Sequence, residues 1–159
     1  MAVLDELDPL EQLIWDQMQS SSILQPILGN GIYFEWNLDP QSMPYVLCVP
    51  VGSGPTEYLM PVAGVIPQTR DVITKPVRQF SLFSFDRAQS ISMLVPEISR
   101  LFEAKGGLPM KGGSIMSHCF IQTTWATRYD QDNRSIQQRN LWHSFARFEF
   151  CIQRPPGVL

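Results

Sequence analysis

Four places in this 159-residue chain come near a pattern that does chemistry. The first is the glycine-rich run Gly106 to Gly113, which contains Lys111. A phosphate cradle of the Walker type needs lysine directly after its second glycine, then Ser or Thr, at a strand-to-helix turn. Here Lys111 precedes Gly112 and the run follows a helical pattern, so it reads as a helix-to-strand connection. The second is Asp130 to Ser135, which begins like a calcium loop but has Ser135 where the sharp turn requires glycine, and no Glu at the twelfth position. The third is the His118–Cys119 pair. Neighbours on a strand point to opposite faces, which argues against a thiol–imidazole dyad. The fourth is the set Cys48, Cys119 and Cys151, which is odd in number, widely spaced and free of any CxxC pair. With only two histidines in the chain a structural zinc site is not expected, and the three read as reduced, buried, structural thiols. No GxSxG elbow, HExxH helix or GxGxxG turn occurs. The residues therefore predict no catalytic group, no cofactor and no metal: a protein that is not an enzyme.

Aromatic residues are the remaining signal. Of Trp15, Trp36, Trp125 and Trp142, the last three fall at the edges of strand segments, where such rings serve either the core or a subunit contact. His143 reads as a surface or packing residue at a strand start. Charge is also divided along the chain. Eight acids and no base precede Arg70, while seven acids and all twelve bases lie from Arg70 onward, so formal charges of −8 and +5 make up the net −3. A uniformly basic nucleic-acid binder does not look like this.

The elements that would position these groups can be read from composition and periodicity. Hydrophobic residues make up 44% of the chain and charged residues 17%, enough for a packed core in one domain over 1–159, with 1–7 and 154–159 as flexible ends. The acidic start is unlike a secretory signal, and no apolar run is long enough to span a bilayer, so assembly in the cytosol is expected. Asp8, Pro9 and Glu11 predict a capped helix start, with Leu10, Leu13, Ile14 and Met18 as its apolar stripe and Gly29 to Gly31 as its end. Strands are predicted at Ile32–Trp36, Tyr45–Val49, about Glu57–Ile66 after a tight turn at Gly52 to Pro55, and Val77–Phe85 after a link from Pro67 to Pro76. Asp86 opens an amphipathic helix with Ala88, Ile91, Leu94, Val95, Ile98, Leu101 and Phe102 on its apolar face, kinked by Pro96. Two long strands follow, at about Ser114–Ala126 and Trp142–Ile152. Ala146, Phe148, Phe150 and Ile152 make the apolar face of the second. Between them Thr127 to Asn140 is a polar connection. The expected fold is α+β, an antiparallel or mixed sheet of about five to six strands with two main helices packed on it.

Gly29 to Tyr33, Pro44 to Leu47, and an aromatic strand running straight into Asp86, Ala88 and Ile91 together resemble the tail-terminator, or tail-completion, proteins of long-tailed bacteriophages. The resemblance spans most of the chain. It implies a virion structural protein, assembled in the host cytoplasm, that forms a homo-oligomeric, typically hexameric ring at the end of the tail tube. Its partners would then be the tail tube protein and neck or connector proteins, with DNA passing through the ring and no sequence-specific nucleic-acid contact. Another neck or head-closure protein would use similar architecture, and a small-ligand-binding α+β domain is the competing class. A ring of identical copies needs two different, complementary patches. The sequence offers Asp5, Glu6 and Asp8 as an acidic patch, Arg128, Arg134 and Arg139 as anchors on the polar connection, and Trp36, Trp125 and Trp142 as apolar contacts.

Overall fold

The computed structural model describes residues 7–35, 43–58, 72–102, 107–112, 115–129 and 141–154, with the backbone alone at 54–58, 87, 90–91, 117–129 and 141. Helix α1 (Pro9–Gln19) begins as its first residues dictate. The Asp8 carboxylate accepts the Glu11 N–H at 2.8 Å, and the Glu11 side chain closes the capping box onto the Asp8 N–H. Ser21 then turns the chain, its hydroxyl accepting the Leu24 N–H at 3.1 Å ahead of the short α2 (Leu24–Leu28). Gly29, at φ +55°, ends α2 in a conformation that suits glycine. Gly31 follows where space is tight: a Cβ there would lie 2.9 Å from the Leu28 carbonyl oxygen.

The six-stranded sheet is mixed, in the order β1–β2–β3–β6–β5–β4. Strand β1 (Ile32–Phe34) pairs parallel to β2 (Tyr45–Tyr58), and β2 pairs antiparallel to β3 (Val72–Ser84). Strands β5 (Ile115–Tyr129) and β6 (Leu141–Arg154) pair antiparallel to each other. Strand β6 also lies against β3, and the two-residue β4 (Leu108–Pro109) edges β5.

Three local expectations give way. The run Gly52 to Pro55 is not a turn. Strand β2 continues through it to Tyr58 and absorbs the irregularity as two bulges, one at Val51 between Pro50 and Gly52 and one between Gly54 and Glu57. Gly52 takes φ +146°, so the glycine serves a bulge rather than a reversal. Glu57 and Tyr58 thus end β2 instead of opening a return strand; the remainder of that segment lies outside the described residues. Strand β3 starts at Val72, which places Pro76 inside it, opposite Ser53. The helix predicted from Asp86 onward is divided into α3 (Arg87–Gln89), a π-helical turn at Ser90–Leu94 and α4 (Val95–Phe102). Pro96 offers no N–H and its ring crowds the carbonyl of Ser92, so the chain widens into the π turn just ahead of it. Asp86 caps as expected, accepting the Gln89 N–H at 3.2 Å, but Ala88 is exposed rather than core-facing.

The core lies on one face of the sheet. Leu10, Leu13, Ile14 and Met18 of α1 and Leu94, Ile98, Leu101 and Phe102 pack with Phe34, Val46, Phe80, Leu82, Ala146, Phe148 and Phe150. Leu7, at 5% exposure, already belongs to this core. The Phe102 ring stacks on Phe80 at 5.4 Å and meets Phe148 and Phe150 edge-on. One polar cluster ties the helices together. Glu97, on the buried side of α4, accepts the Ser21 hydroxyl at 2.7 Å and both Arg100 Nε and Nη2, at 2.8 and 2.6 Å. These bonds, the arginine's first, hold the Glu97 carboxyl below its usual range despite its burial. No described helix is long and apolar enough to cross a membrane.

Candidate assembly surface

Strand alternation sends the remaining side chains of β1, β2, β3 and β6 to the face away from the helices. There they form a row of rings across four strands. Tyr33 meets Tyr45 edge-on at 6.0 Å, Tyr45 stacks on Phe83 at 4.9 Å, and Phe83 lies parallel to His143 at 4.6 Å. His143 stacks on Phe145 at 5.1 Å, and the Arg147 guanidinium stands 5.9 Å over the Phe145 ring. The register explains the alignment, because Tyr45 faces Phe83, Phe83 faces His143 and Ser81 faces Phe145. Arg147 is steadied by Gln79, whose side-chain oxygen accepts its Nε–H at 2.7 Å while its amide donates to the Ser81 hydroxyl.

Tyr33, Tyr45, Phe83 and His143 are half-buried, while Phe145 and Val77 are buried outside the core cluster. The described helices put their buried apolar residues into the core on the other side, so among the described residues no second layer covers this row. Burial lowers the His143 pKa, and its Nε2 is enclosed without a hydrogen-bond partner in the row. Phe145 lies off the apolar face that Ala146, Phe148, Phe150 and Ile152 make on β6, yet it is buried at 7% exposure. Cys48 is a buried free thiol on the core side, pushed well above its ordinary pKa chiefly by desolvation. Cys151 is also free but only half-buried, and so departs from the expected set of three buried thiols. The Cys119 side chain is not described. Among the described residues no group of three or more His, Cys, Asp and Glu is placed to hold a metal ion.

The sequence-predicted contact residues are not gathered at this row. Asp5, Glu6, Trp36, Arg134 and Arg139 lie outside the described residues. The backbone of Trp125, in β5, pairs with that of Phe145. Arg128 belongs to β5 rather than to a loop and stands opposite Trp142, which is half-buried and pairs on its other side with Ser84. Asp8 sits elsewhere, at a cleft of about 590 Å³ beside the start of α1, lined also by Arg78, Lys111 and Arg154. From Arg78 to Ser84 along β3 is roughly 20 Å at the usual strand rise, so Asp8 and Trp142 belong to separate regions. A second cleft of about 390 Å³ shares Asp8 and Arg78 and adds Glu11 and Glu35. Acids of the first part of the chain and bases of the second therefore meet within one subunit.

Sequence reasoning did not single out Tyr33, Tyr45, Phe83 or Phe145 as a surface, and it left His143 as a packing residue. The available signal was the alternation itself: Phe83 is out of phase with Phe80 and Leu82, and Phe145 with Ala146 and Phe148.

No protein-family model matches the chain, and no curated protein sequence matches it. Among solved structures, it is similar to a chain of the virion of a native gene transfer agent (GTA) particle, with a TM-score of 0.53 and 12% identity over 92% of this chain and 96% of that one. At that identity what the two share is the fold, over nearly their whole lengths.

Proposed function

We propose that this chain is a structural protein of a phage-like virion, and within that class a tail terminator that forms a ring on the end of the tail tube and joins it to the neck. The observation that carries the reading is the near end-to-end structural likeness to a component of a gene transfer agent virion, a phage-like particle. A likeness covering both chains argues that the whole unit is reused, not one common motif. The aromatic row on the sheet face away from the described helices supports it, since rings of this kind at a sheet face are apt material for a subunit contact. In this reading the protein is not an enzyme, its cysteines are structural and its partners are further copies of itself, the tail tube and the neck.

The test is direct. Purified protein is mixed with tail tubes lacking their terminator and imaged by electron microscopy. Ring-shaped density at one tube end only is the expected result. Binding to isolated heads but not to tubes would reassign the chain to head closure, and a monomer that touches neither would remove it from the virion class.

A further inference from the structure

The cleft beside α1 has a chemistry that ring assembly does not require. Its walls are apolar where Leu7, Leu10, Met110 and Ile152 line it. Among the described residues three cations, Arg78, Lys111 and Arg154, and one anion, Asp8, also line it, a formal balance of three minus one, or +2. The adjoining cleft holds Asp8, Glu11 and Glu35 against Arg78, one minus three, or −2. The Asp8 carboxylate accepts the Glu11 N–H at 2.8 Å and so lies at the α1 end, while the register sets Arg154 well along β6 from Phe148, the partner of Arg78, at the far end. At that end Arg154 lines the cleft, and among the described residues its enclosed Nε has no hydrogen-bond partner. A guanidinium that lines an apolar cleft has a carboxylate as its natural complement.

We propose that this cleft binds an apolar chain bearing a carboxylate, with the carboxylate between Lys111 and Arg154 and the chain along Leu7, Leu10 and Met110. The volume of about 590 Å³ is in the range of small-ligand sites. The negative neighbouring cleft fixes the direction, because a carboxylate placed across Arg78 would meet Asp8, Glu11 and Glu35. A multiply charged phosphate fits worse, having no use for the apolar wall and meeting Asp8. The same chemistry is offered by a free aliphatic acid and by an acidic, leucine-rich segment of a partner protein. The inference stands independently of the virion reading.

Calorimetric titration of the full chain separates these cases. The probes are dodecanoate, acetate, dodecyltrimethylammonium and an amidated peptide alternating leucine and aspartate. Saturable binding of dodecanoate or the peptide, with no binding of acetate or the cationic surfactant, is expected. Preference for dodecanoate marks a free acid as the source, and preference for the peptide marks a partner segment. The double variant Lys111→Gln, Arg154→Gln removes both charge-assisted contacts and should weaken the preferred probe by about ten-fold or more. Met110→Trp fills the cleft without changing charge and should weaken it as well, which keeps the test open if the double variant is poorly folded. Failure of both carboxylates to bind, equal binding of the cationic surfactant, or binding unchanged in either folded variant overturns the proposal.

Discussion

The two faces of the sheet carry aromatic rings in similar number and use them differently. On the helix side Phe80, Phe102, Phe148 and Phe150 are wholly enclosed and touch one another between two layers. On the other side Tyr33, Tyr45, Phe83 and His143 touch one another along the row and stay half-buried. Composition and cross-strand pairing are alike on both sides, so neither makes a core. A second layer does. The dry face holds the chain together, and the other face, which no described helix covers, has contact area to offer.

That comparison can be broken hardest at Phe148. Phe148→Ala should destabilise the fold by about 3–5 kcal/mol, the usual range for an enclosed ring, as read from the urea midpoint. Indifference at Phe148 would mean that the core is misassigned. Next comes the polar tie within the dry side. Glu97→Gln should cost about 1–3 kcal/mol by loosening its charged hydrogen bonds to Arg100 and to Ser21. Because the folded carboxyl has a pKa below its ordinary value of 4.5, its contribution is complete above that value and is lost as pH falls through the lower folded one. The variant should lack this acid-side decline; if both proteins lose stability in parallel, the cluster is not its source. On the open side Phe83→Ser should cost the monomer about 1 kcal/mol or less beyond the lost area, yet abolish ring formation on tubes. A variant that assembles normally would leave the row without a role in contact. The smallest effect is expected at His143. Its pKa is lowered by burial, so folding favours the neutral ring and stability should slip as pH drops below about 6.5, a slope that His143→Phe removes. Denaturation at several pH values reads it.

Local signals in the sequence carried well. Asp8, Pro9 and Glu11 sit in a capping box because that motif needs only its own four residues. The alternation Ala146 to Ile152 marks the core side of β6 because burial follows strand period. Gly52 to Pro55 misled, since glycine and proline mark bulges as readily as turns, and only the partner strand decides which. The stretch from Ala88 to Phe102 reads as one helix because side-chain spacing alone does not register a change from α to π winding. The aromatic row was out of reach for a different reason. Its members come from four strands whose register is set by the whole sheet, and residues 33, 45, 83 and 143 have no relation in the chain. The cleft cations Arg78, Lys111 and Arg154 converge in the same way. The six-stranded mixed sheet with helices was legible in kind; its order, with β6 against β3, was not.

The bond between Ser21 and Glu97 joins residues 76 apart, and it closes only once both helical regions have reached the sheet. A contact of that span has to wait for much of the topology between its ends, so it belongs after the rate-limiting step of folding. It then acts as a clasp on the finished structure and governs how long a folded molecule persists more than how quickly one forms. In a chevron experiment Ser21→Ala should raise the unfolding rate and leave the refolding rate nearly unchanged, and slower refolding instead would place the clasp in the nucleus. In the assembly proposed above, a subunit that waits, folded, for its partners would have use for a late clasp of this kind.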